Sequence, residues 1–369
     1  MRFFLKVIMF FLVVLSIWVS LNCCFLWRLF SLPLFGAKTT KIVITSFVIF
    51  FALSYIVGRI FIHRGFRGFA SFLEVVGAVW IGALFILVVY LFFADVISLF
   101  GYFKTASIYL RYLSLLISAV LVFLSLYLGL RTPLIRNETI KVSNPQLSGL
   151  KIVQISDLHL GEIKGERFLK KVVKQINEQN PDVVVITGDI IDSDGKNEEK
   201  IKSIFREIKA KKGVYGVLGN HEYYFGADKN LSFFEESGIK ILRNENIEIK
   251  EGLLIAGIDD LSFKRESQQK EDFLEKALEN RKSGYTVLLS HSPLEVEKAA
   301  EMGVNLMLSG HCHNGQIWPF KFLSKIFYPY NYGRFKVKEM DLIVTSGSGT
   351  WGPPMRLFKA GEIVVINLL

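Results

Sequence analysis

The chain has 369 residues, of which 51% are hydrophobic and 14% aromatic, and it carries a formal net charge of +10. This length allows two domains, and the apolar content indicates that part of the chain uses lipid as its apolar environment. Residues 1–140 hold 12 of the 44 basic and only 3 of the 34 acidic residues, so they carry +9 and the remainder +1. Because the basic excess flanks apolar runs, the composition argues against a nucleic-acid partner.

Four apolar stretches precede residue 131. They cover residues 7–27, 42–57, 75–100 and 112–130. Each approaches or exceeds the ~20 residues that a helix needs to cross a bilayer. The first could be a cleaved signal peptide, but its run is long and no small-residue cleavage pattern follows, so we interpret it as an anchor. The sequence therefore predicts an all-α transmembrane module of four helices over residues 1–130.

The basic residues around these stretches predict the sidedness of the chain. With four spans, the N-terminus, the 58–74 loop and the C-terminal domain share one side. That side holds Arg2, Lys6, Arg59, Arg64, Arg67, Arg131, Arg136 and Lys141, and the other holds Arg28, Lys38, Lys41, Lys104 and Arg111. Eight against five favours a multi-pass cell-membrane protein with a cytoplasmic C-terminal domain. The cysteines suggest no disulfide framework, and we expect Asp95, near the end of the third stretch, to be a hydrated acid.

The remaining residues predict a soluble domain. Residues 131–149 are rich in turn formers and are interpreted as a linker, so the domain is expected to cover 150–369. Strand-like runs then alternate with helix-like runs at 166–178, 197–211, 229–236, 269–281 and 293–302. This alternation predicts a layered α/β core. Two late apolar runs, 341–345 and 362–368, are expected to form sheet edges.

Five groups of potential metal ligands each follow a strand-like run. They are Asp157-Leu-His159, Gly188-Asp189, Gly219-Asn220-His221-Glu222, His291 and Gly310-His311-Cys312-His313. Singly each group is a weak signal, because an Asp after a strand is often a helix cap and a lone histidine is often structural. Together they predict one site, since five unrelated turns would not be expected to supply a complete ligand set on rigid supports.

The donor types indicate a two-metal phosphoesterase centre. Oxygen and imidazole donors without thiolate suit Mn²⁺, Fe, Co²⁺ or Zn²⁺. Asp189 matters most, because one carboxylate can bridge two cations ~3.5–4 Å apart. If Asp157 is the only other anionic ligand, two divalent ions with a bridging hydroxide keep a residual charge of about +1, which favours a phosphate oxyanion and a metal-activated nucleophile. Asn220 would add a neutral oxygen.

The order Asp-x-His, Gly-Asp-x-x-Asp, Gly-Asn-His-Glu, His, Gly-His-x-His resembles the calcineurin-like metallophosphoesterase superfamily over residues 150–369. The segments 310–317 and 347–356 are similar to a membrane-linked bacterial branch that includes phosphodiesterases and UDP-diacylglucosamine pyrophosphatases. The resemblance implies a four-layer α/β/β/α sandwich behind the transmembrane module, with the metals at one end of the sheets. No ligand position departs from the superfamily pattern.

Residue roles follow from the same resemblance. The first metal would be held by Asp157, His159 and His313, the second by Asn220, His291 and His311, with Asp189 bridging them. His221 would be the general acid at the leaving oxygen, oriented by Asp189 or a neighbour, and Asp192 and Glu222 would support the ligands at most. Mn²⁺ is the expected ion, with Zn²⁺, Fe or Co²⁺ as alternatives.

The expected function is binuclear metal-dependent hydrolysis of a phosphodiester, phosphomonoester or pyrophosphate bond by a metal-bridging hydroxide. A lipid-linked substrate, such as a UDP-acylated sugar or a phospholipid, is favoured by the mixed aromatic and basic residues of segment 317–335, which suit a bilayer headgroup region. These aromatics could instead pack the domain's own core. Two functional alternatives are a catalytically silent binding module, which the complete ligand set and His221 argue against, and a nuclease or cyclic nucleotide phosphodiesterase. The near-neutral charge of the domain disfavours a nuclease.

Overall fold

The structure is a computed structural model that describes residues 2–66, 68–192, 198–224, 226–267 and 271–369. By backbone proximity the chain forms two compact units. The N-terminal unit comprises Met1–Tyr127 with Gly352–Met355, and the C-terminal unit comprises Leu128–Trp351 with Arg356–Leu369.

The N-terminal unit is built from four long helices. They are α1 (Arg2–Phe30), α2 (Lys38–His63), α3 (Phe69–Ile97) and α4 (Lys104–Leu130). All four are long and apolar enough to cross a membrane, which confirms the number of spans predicted from the sequence. Much of their apolar surface faces outward, as expected for helices whose solvent is lipid.

The few acids of the N-terminal unit are paired with arginines. Asp95 in α3 is buried, with Arg28 Nε 2.6 Å from its Oδ2 and Arg111 Nη2 2.8 Å from its Oδ1. Glu74 pairs with Arg59 at 2.9 Å. The expectation of a hydrated Asp95 was wrong. Helices α1 and α4 bring the guanidinium groups of Arg28 and Arg111 to it, and these offset the cost of its burial.

The C-terminal unit contains two six-stranded sheets. Sheet one has the order β1-β12-β2-β3-β4-β5, and sheet two has the order β10-β11-β9-β8-β7-β6. The strands of sheet one are β1 (Leu134–Ile140), β2 (Lys151–Ile155), β3 (Val183–Thr187), β4 (Val214–Val217), β5 (Lys240–Ile241) and β12 (Glu362–Leu368). Those of sheet two are β6 (Glu245–Lys250), β7 (Leu253–Gly257), β8 (Tyr285–Leu289), β9 (Leu306–Ser309), β10 (Gly333–Val337) and β11 (Met340–Val344).

Helices cover the outer face of each sheet. The helices of this unit are α5 (Glu166–Glu178), α6 (Glu198–Phe205), α7 (Asn220–Tyr224), α8 (Ala227–Glu236), α9 (Leu261–Ser267), α10 (Phe273–Leu278), α11 (Val296–Glu301) and α12 (Phe320–Phe327). One apolar core joins α5, α6 and α8 to sheet one, a second lies between the sheets, and a third joins α10 and α11 to sheet two. This arrangement confirms the predicted α/β/β/α sandwich.

Strand β3 shows why its sequence is a continuous apolar run. Val184 and Ile186 belong to the outer core, whereas Val183 and Val185 belong to the core between the sheets. Successive side chains of a strand point to opposite faces, so a strand covered on both faces needs apolar residues at every position. Each such buried side chain contributes roughly 1.5–3 kcal/mol of transfer free energy.

The structure differs from the sequence prediction at the sheet margins. Residues 131–149 were predicted to be a linker, but they contain β1, which pairs in parallel with β12 along Leu134–Ile140. The late strands β11 and β12 were expected at edges, and this was wrong, because each has a partner on both sides. The predicted helix at 197–211 ends at Phe205, and its first residue lies outside the described residues, as do residues 269 and 270 of the predicted helix 269–281.

Strand direction places the site. Strands β2, β3 and β4 run parallel to one another in sheet one, and β7, β8 and β9 do so in sheet two. The carboxyl ends of parallel strands meet at one edge of a sheet. The loops that follow β2, β3, β4, β8 and β9 carry the predicted ligands, and these loops converge across the two sheets.

Candidate metal centre

The structure brings all seven predicted ligands together. The loop after β2 supplies Asp157 and His159, the loop after β3 Asp189, the start of α7 Asn220, the loop after β8 His291 and the loop after β9 His311 and His313. Apart from the half-buried His311, every one of these side chains belongs to a buried residue. The seven form two groups of donor atoms that share Asp189.

The first group surrounds the space between Asp157, His159 and His313. Nε2 of His313 lies 3.4 Å from Oδ1 of Asp157 and 3.1 Å from Nε2 of His159. Oδ2 of Asp189 lies 3.8 Å from the same nitrogen of His159. Four donor atoms thus face one another without an intervening side chain in the described part of the site.

The second group has the same spacing. Nε2 of His291 lies 3.2 Å from Oδ2 of Asp189 and 3.1 Å from Oδ1 of Asn220. Nδ1 of His311 lies 3.0 Å from the Asn220 oxygen. The single atom Oδ2 of Asp189 therefore faces both groups, while its Oδ1 accepts a hydrogen bond from the backbone N–H of His221 at 3.0 Å.

These donors fit two divalent cations. Ligand atoms about 2.0–2.2 Å from one ion lie about 3 Å from one another, which is the spacing seen here. Histidine is the only basic side chain that pairs with Asp157 or Asp189 in the described part of the chain. Cys312 is buried, and burial raises the pKa of its thiol, so thiolate does not enter the donor set. Nitrogen and oxygen donors without thiolate suit Mn²⁺, Fe, Co²⁺ or Zn²⁺.

The histidine ring nitrogens that point away from the donor groups have partners of their own. Nδ1 of His159 donates to Oδ1 of Asp192 at 2.6 Å, and Nδ1 of His291 donates to the Thr187 carbonyl at 2.7 Å. Because both acceptors lack a proton, Nδ1 of each ring is the donor in these contacts and Nε2 faces the site. Nε2 of His311 lies 2.7 Å from the hydroxyl of Tyr328.

Asp192 contacts two histidines at once. Its Oδ1 also lies 2.7 Å from Nδ1 of His221, so one carboxylate orients a metal-capable imidazole and the predicted general acid. Burial alone would raise the pKa of Asp192, but His159 and His221 lower it to about 2. Burial would lower the pKa of His159, but Asp192, with Asp189 and Asp157, raises it to about 9.

Glu222 holds the loops rather than the donor groups. It accepts hydrogen bonds from the backbone N–H groups of Gly219 at 2.7 Å, Asp189 at 2.9 Å and Ile190 at 2.7 Å. Burial and the charge of Asp189 raise its pKa to about 7, against the effect of these donors. Gly219 allows the close approach, because a Cβ there would lie 2.1 Å from Oδ1 of Asp189.

Five of the seven donors lie on strained backbone. Positive φ angles occur at Asp157 (54°), His159 (48°), Asp189 (54°), His311 (69°) and His313 (49°). Non-glycine residues rarely adopt this region, at a cost of about 1–3 kcal/mol each, and such strain clusters at functional sites. Backbone hydrogen bonds hold this strained conformation. The N–H of Asp157 donates to the Gly188 carbonyl at 2.9 Å, and the N–H of His159 donates to the Asp189 carbonyl at 3.1 Å.

Sequence reasoning missed three residues that border the site. Tyr328 contacts His311, and Nη2 of the buried Arg356 lies 3.3 Å from Nδ1 of His313. The Trp351 ring stands edge to face with His221 at 6.2 Å. Arg356 and Trp351 lie inside the segment 347–356 that carries the family resemblance, and this segment was the only sequence feature that pointed to them.

Known proteins are similar to this chain over the part that carries the candidate ligands. The family profile of the calcineurin-like phosphoesterases matches residues 150–315. An uncharacterized metallophosphoesterase of Campylobacter jejuni is 36% identical over 272 residues, or 72% of each chain. Another of Aquifex aeolicus is 34% identical over 260 residues, which is 68% of this chain and 97% of that protein.

A third relative is named as a transmembrane protein. The transmembrane protein with metallophosphoesterase domain of Danio rerio is 33% identical over 270 residues, covering 69% of this chain and 62% of its own length. The profile match and the extent of these alignments agree with the convergence of the five ligand loops. The chain belongs to the calcineurin-like metallophosphoesterase family.

Proposed function

We propose that the protein is a membrane-anchored, binuclear metal-dependent phosphoesterase that acts on a lipid-linked substrate. One observation carries the catalytic part: two groups of buried donors share Oδ2 of Asp189. Asp157, His159 and His313 would hold one ion, and Asn220, His291 and His311 the other. Two bound divalent ions would supply Lewis-acid stabilisation of a phosphate and a water of lowered pKa as nucleophile, with Mn²⁺ the expected metal.

His221 is the proposed general acid. Its Nδ1 lies 2.7 Å from Oδ1 of Asp192, so that carboxylate orients the ring, and Nε2 would give a proton to the leaving oxygen. The side chain of His221 is only 15% exposed, so the donor is fixed in place before substrate binds. Proton donation matters most when the leaving oxygen is strongly basic.

The leaving group therefore provides the test. We expect His221→Ala to slow hydrolysis of an alkyl phosphodiester by about 10²–10⁴-fold, and that of a nitrophenyl diester far less. Metal content, measured by atomic emission, should stay at two ions per chain. The matched control is His63→Ala, which removes an exposed histidine of the N-terminal unit. Equal slowing of both substrates would assign His221 to positioning, and metal binding without any hydrolysis would favour the silent binding module.

A lipid-linked substrate is supported by helix α12. The helix begins seven residues after His313 and exposes Leu323, Ile326 and Phe327, with Ile326 74% exposed. Its lysines, Lys321 and Lys325, suit anionic headgroups, and apolar rings with basic neighbours are typical of helices lying in a bilayer interface. The alternative that this segment packs into the core applies to Ile317, which is buried, and to its second half, where Tyr328, Tyr330 and Phe335 contact the third core.

Two matched variants test the lipid part. We expect Leu323→Ser, Ile326→Ser and Phe327→Ser together to depress hydrolysis of a long-chain phosphodiester in mixed micelles while leaving a soluble nitrophenyl diester unchanged. The control, Leu323→Phe, Ile326→Leu and Phe327→Leu, keeps the surface apolar and should retain both activities. Equal loss on both substrates, with a lowered Tm, would show that α12 supports the fold instead.

The proposed location is the cell membrane, with several spans and the C-terminal unit in the cytoplasm. The eight-to-five distribution of basic residues supports this orientation. A reporter fused after residue 145 should fluoresce if it folds only in the cytoplasm, and a reporter active only after export should be silent there. The reverse pattern would place the substrate in the opposite leaflet.

A further inference from the structure

Two exposed aromatic rings border the proposed general acid. The ring centroid of Tyr224 lies 5.9 Å from that of His221, and the ring of Trp351 stands nearly perpendicular to it at 88°. Tyr224 is 54% exposed and Trp351 57% exposed. Large aromatic side chains left this open beside a buried reaction centre are available to a ligand.

The backbone that carries Trp351 is fixed. Oε1 of Gln316 accepts from the Trp351 N–H at 2.9 Å, and Nε2 of Gln316 donates to the Trp351 carbonyl at 2.8 Å. The neighbouring Gly349 donates its N–H to the Asp157 carbonyl at 2.9 Å. A Cβ on Gly349 would lie 2.1 Å from the Leu158 carbonyl oxygen, so only glycine permits this approach.

Arg356 holds the same loop from inside. Its guanidinium donates to the carbonyls of Ser346 at 2.6 Å and Gly349 at 2.7 Å. The loop is therefore tied both to the Asp157 loop and to a buried cation, and Trp351 is presented on a rigid support. Pre-organised rings lose little conformational entropy on binding, which favours them as contact surfaces.

We propose that Trp351 and Tyr224 form a subsite for a leaving group that carries a planar ring. The inference rests on the proposed function, in which the leaving oxygen must meet His221. Whatever is attached to that oxygen then contacts exposed side chains next to His221, and two of these are the rings of Tyr224 and Trp351. An aromatic side chain can stack on any flat π system, whether an aryl group or a nucleobase.

Two substrate pairs distinguish these sources. The first pair of soluble phosphodiesters releases either a phenol or a fluoroalkyl alcohol of matched acidity. The second releases either a nucleoside through its 5′-oxygen or the corresponding abasic ribose. We expect the wild-type protein to prefer the ring-bearing member of one pair by about tenfold in kcat/KM, mostly through KM, as stacking predicts. The pair that shows the preference identifies the ring.

Substitution then assigns the preference to the subsite. We expect Trp351→Ala to bring the ring preference to within about twofold of unity, Tyr224→Ala to reduce it, and Trp351→Phe to retain most of it. Phe358→Ala, which removes a comparably exposed ring outside the proposed subsite, is the control and should leave the ring preference unchanged.

The outcomes separate this inference from the proposed function. No hydrolysis of any substrate would contradict the proposed function. Hydrolysis without a ring preference in either pair would overturn the subsite alone, and so would equal loss of both members of a pair in Trp351→Ala, because that result would give Trp351 a structural role.

Discussion

Two buried aspartates, one in each unit, differ in how their negative charge is compensated. Asp95 is 2% exposed and Asp189 is 3% exposed. Asp95 receives two guanidinium groups, from Arg28 and Arg111, whereas Asp189 pairs only with histidines among the described residues. A buried carboxylate without a compensating charge is costly, so a protein that leaves it uncompensated must obtain the positive charge from elsewhere.

The surroundings of the two acids differ in the same way. Asp95 lies on a regular helix, α3, and its partners come from two neighbouring helices. Asp189 lies at positive φ in a loop, beside other donors at positive φ. Regular backbone with arginine partners is typical of a structural contact, and strained backbone whose anionic donors face only imidazoles is typical of a binding site for cations. The comparison therefore supports a stabilising role for Asp95 and the proposed metal-binding role for Asp189.

The largest expected effect is on Asp189. Asp189→Asn removes the shared negative oxygen, so we expect turnover to fall at least about a thousandfold. Manganese at a hundredfold excess over its Kd should raise the free energy of unfolding of the wild type by about 2.7 kcal/mol but not that of the variant. Calorimetry with and without chelator measures this, and wild-type turnover in Asp189→Asn would refute the shared-ligand assignment.

Asp95 should behave in the opposite manner. Asp95→Asn leaves Arg28 and Arg111 buried without their acid, so we expect the free energy of unfolding to fall by about 3–5 kcal/mol. Turnover of a soluble nitrophenyl diester and the stabilisation by manganese should persist in the folded protein. Asp95→Glu keeps the charge and serves as the control. Loss of turnover without loss of stability would give Asp95 a functional role and break the comparison.

Asp192 tests the boundary between the two kinds of acid, because it is half-buried beside the donors and contacts the Nδ1 atoms of His159 and His221. Asp192→Asn removes the anionic acceptor for Nδ1 of His159 and His221, so we expect a loss of about 10–100-fold in metal affinity or turnover. The control, Asp182→Asn, alters an acid of the same unit that pairs with Lys211 at 2.9 Å and should leave turnover intact. An unchanged turnover in Asp192→Asn would exclude the orienting role.

The ligand set could be predicted from sequence because it follows strands of unmistakable pattern. The run before Asp189 is apolar from Val183 to Ile186, since β3 is covered on both faces. The edge strand β1 escaped prediction because four consecutive polar residues occupy its middle, as in LIRNETI, and only its last residue is buried. Its polar composition and its neighbouring prolines therefore favoured a linker.

The contacts between site residues from different parts of the chain could not be predicted from the sequence. Tyr328 reaches His311 from the end of α12, and Asp192 joins two histidines from different loops. Positive φ at five donors cannot be inferred from residue type, because aspartate and histidine usually adopt negative φ. The family pattern named the donors, but only the structure shows that one oxygen of Asp189 faces both groups.

Lys164 shows a third treatment of a buried charge. Its Nζ donates to the Gly129 carbonyl at 2.8 Å and lies 4.2 Å from the Phe168 ring centroid, and the residue is only 3% exposed. No carboxylate pairs with it among the described residues. Burial, assisted by the charge of Arg356, lowers its pKa to about 7. This lysine can therefore be buried because it gives up its proton readily.

The smallest expected effect follows from that pKa. The folded-state pKa of Lys164 is below its unfolded value, so its contribution to stability is present above the unfolded pKa and is lost as pH falls through about 7. We expect the free energy of unfolding of the wild type to rise by about 1 kcal/mol more than that of Lys164→Met between pH 7 and pH 8. Chemical denaturation in detergent, with metal removed by chelator, measures the difference between the two proteins, in which the titration of the histidines cancels. Lys171→Met, at an exposed position of α5, should follow the wild type. Parallel curves for the wild type and Lys164→Met would mean that the buried ammonium keeps its proton and that an acid outside the described residues compensates it.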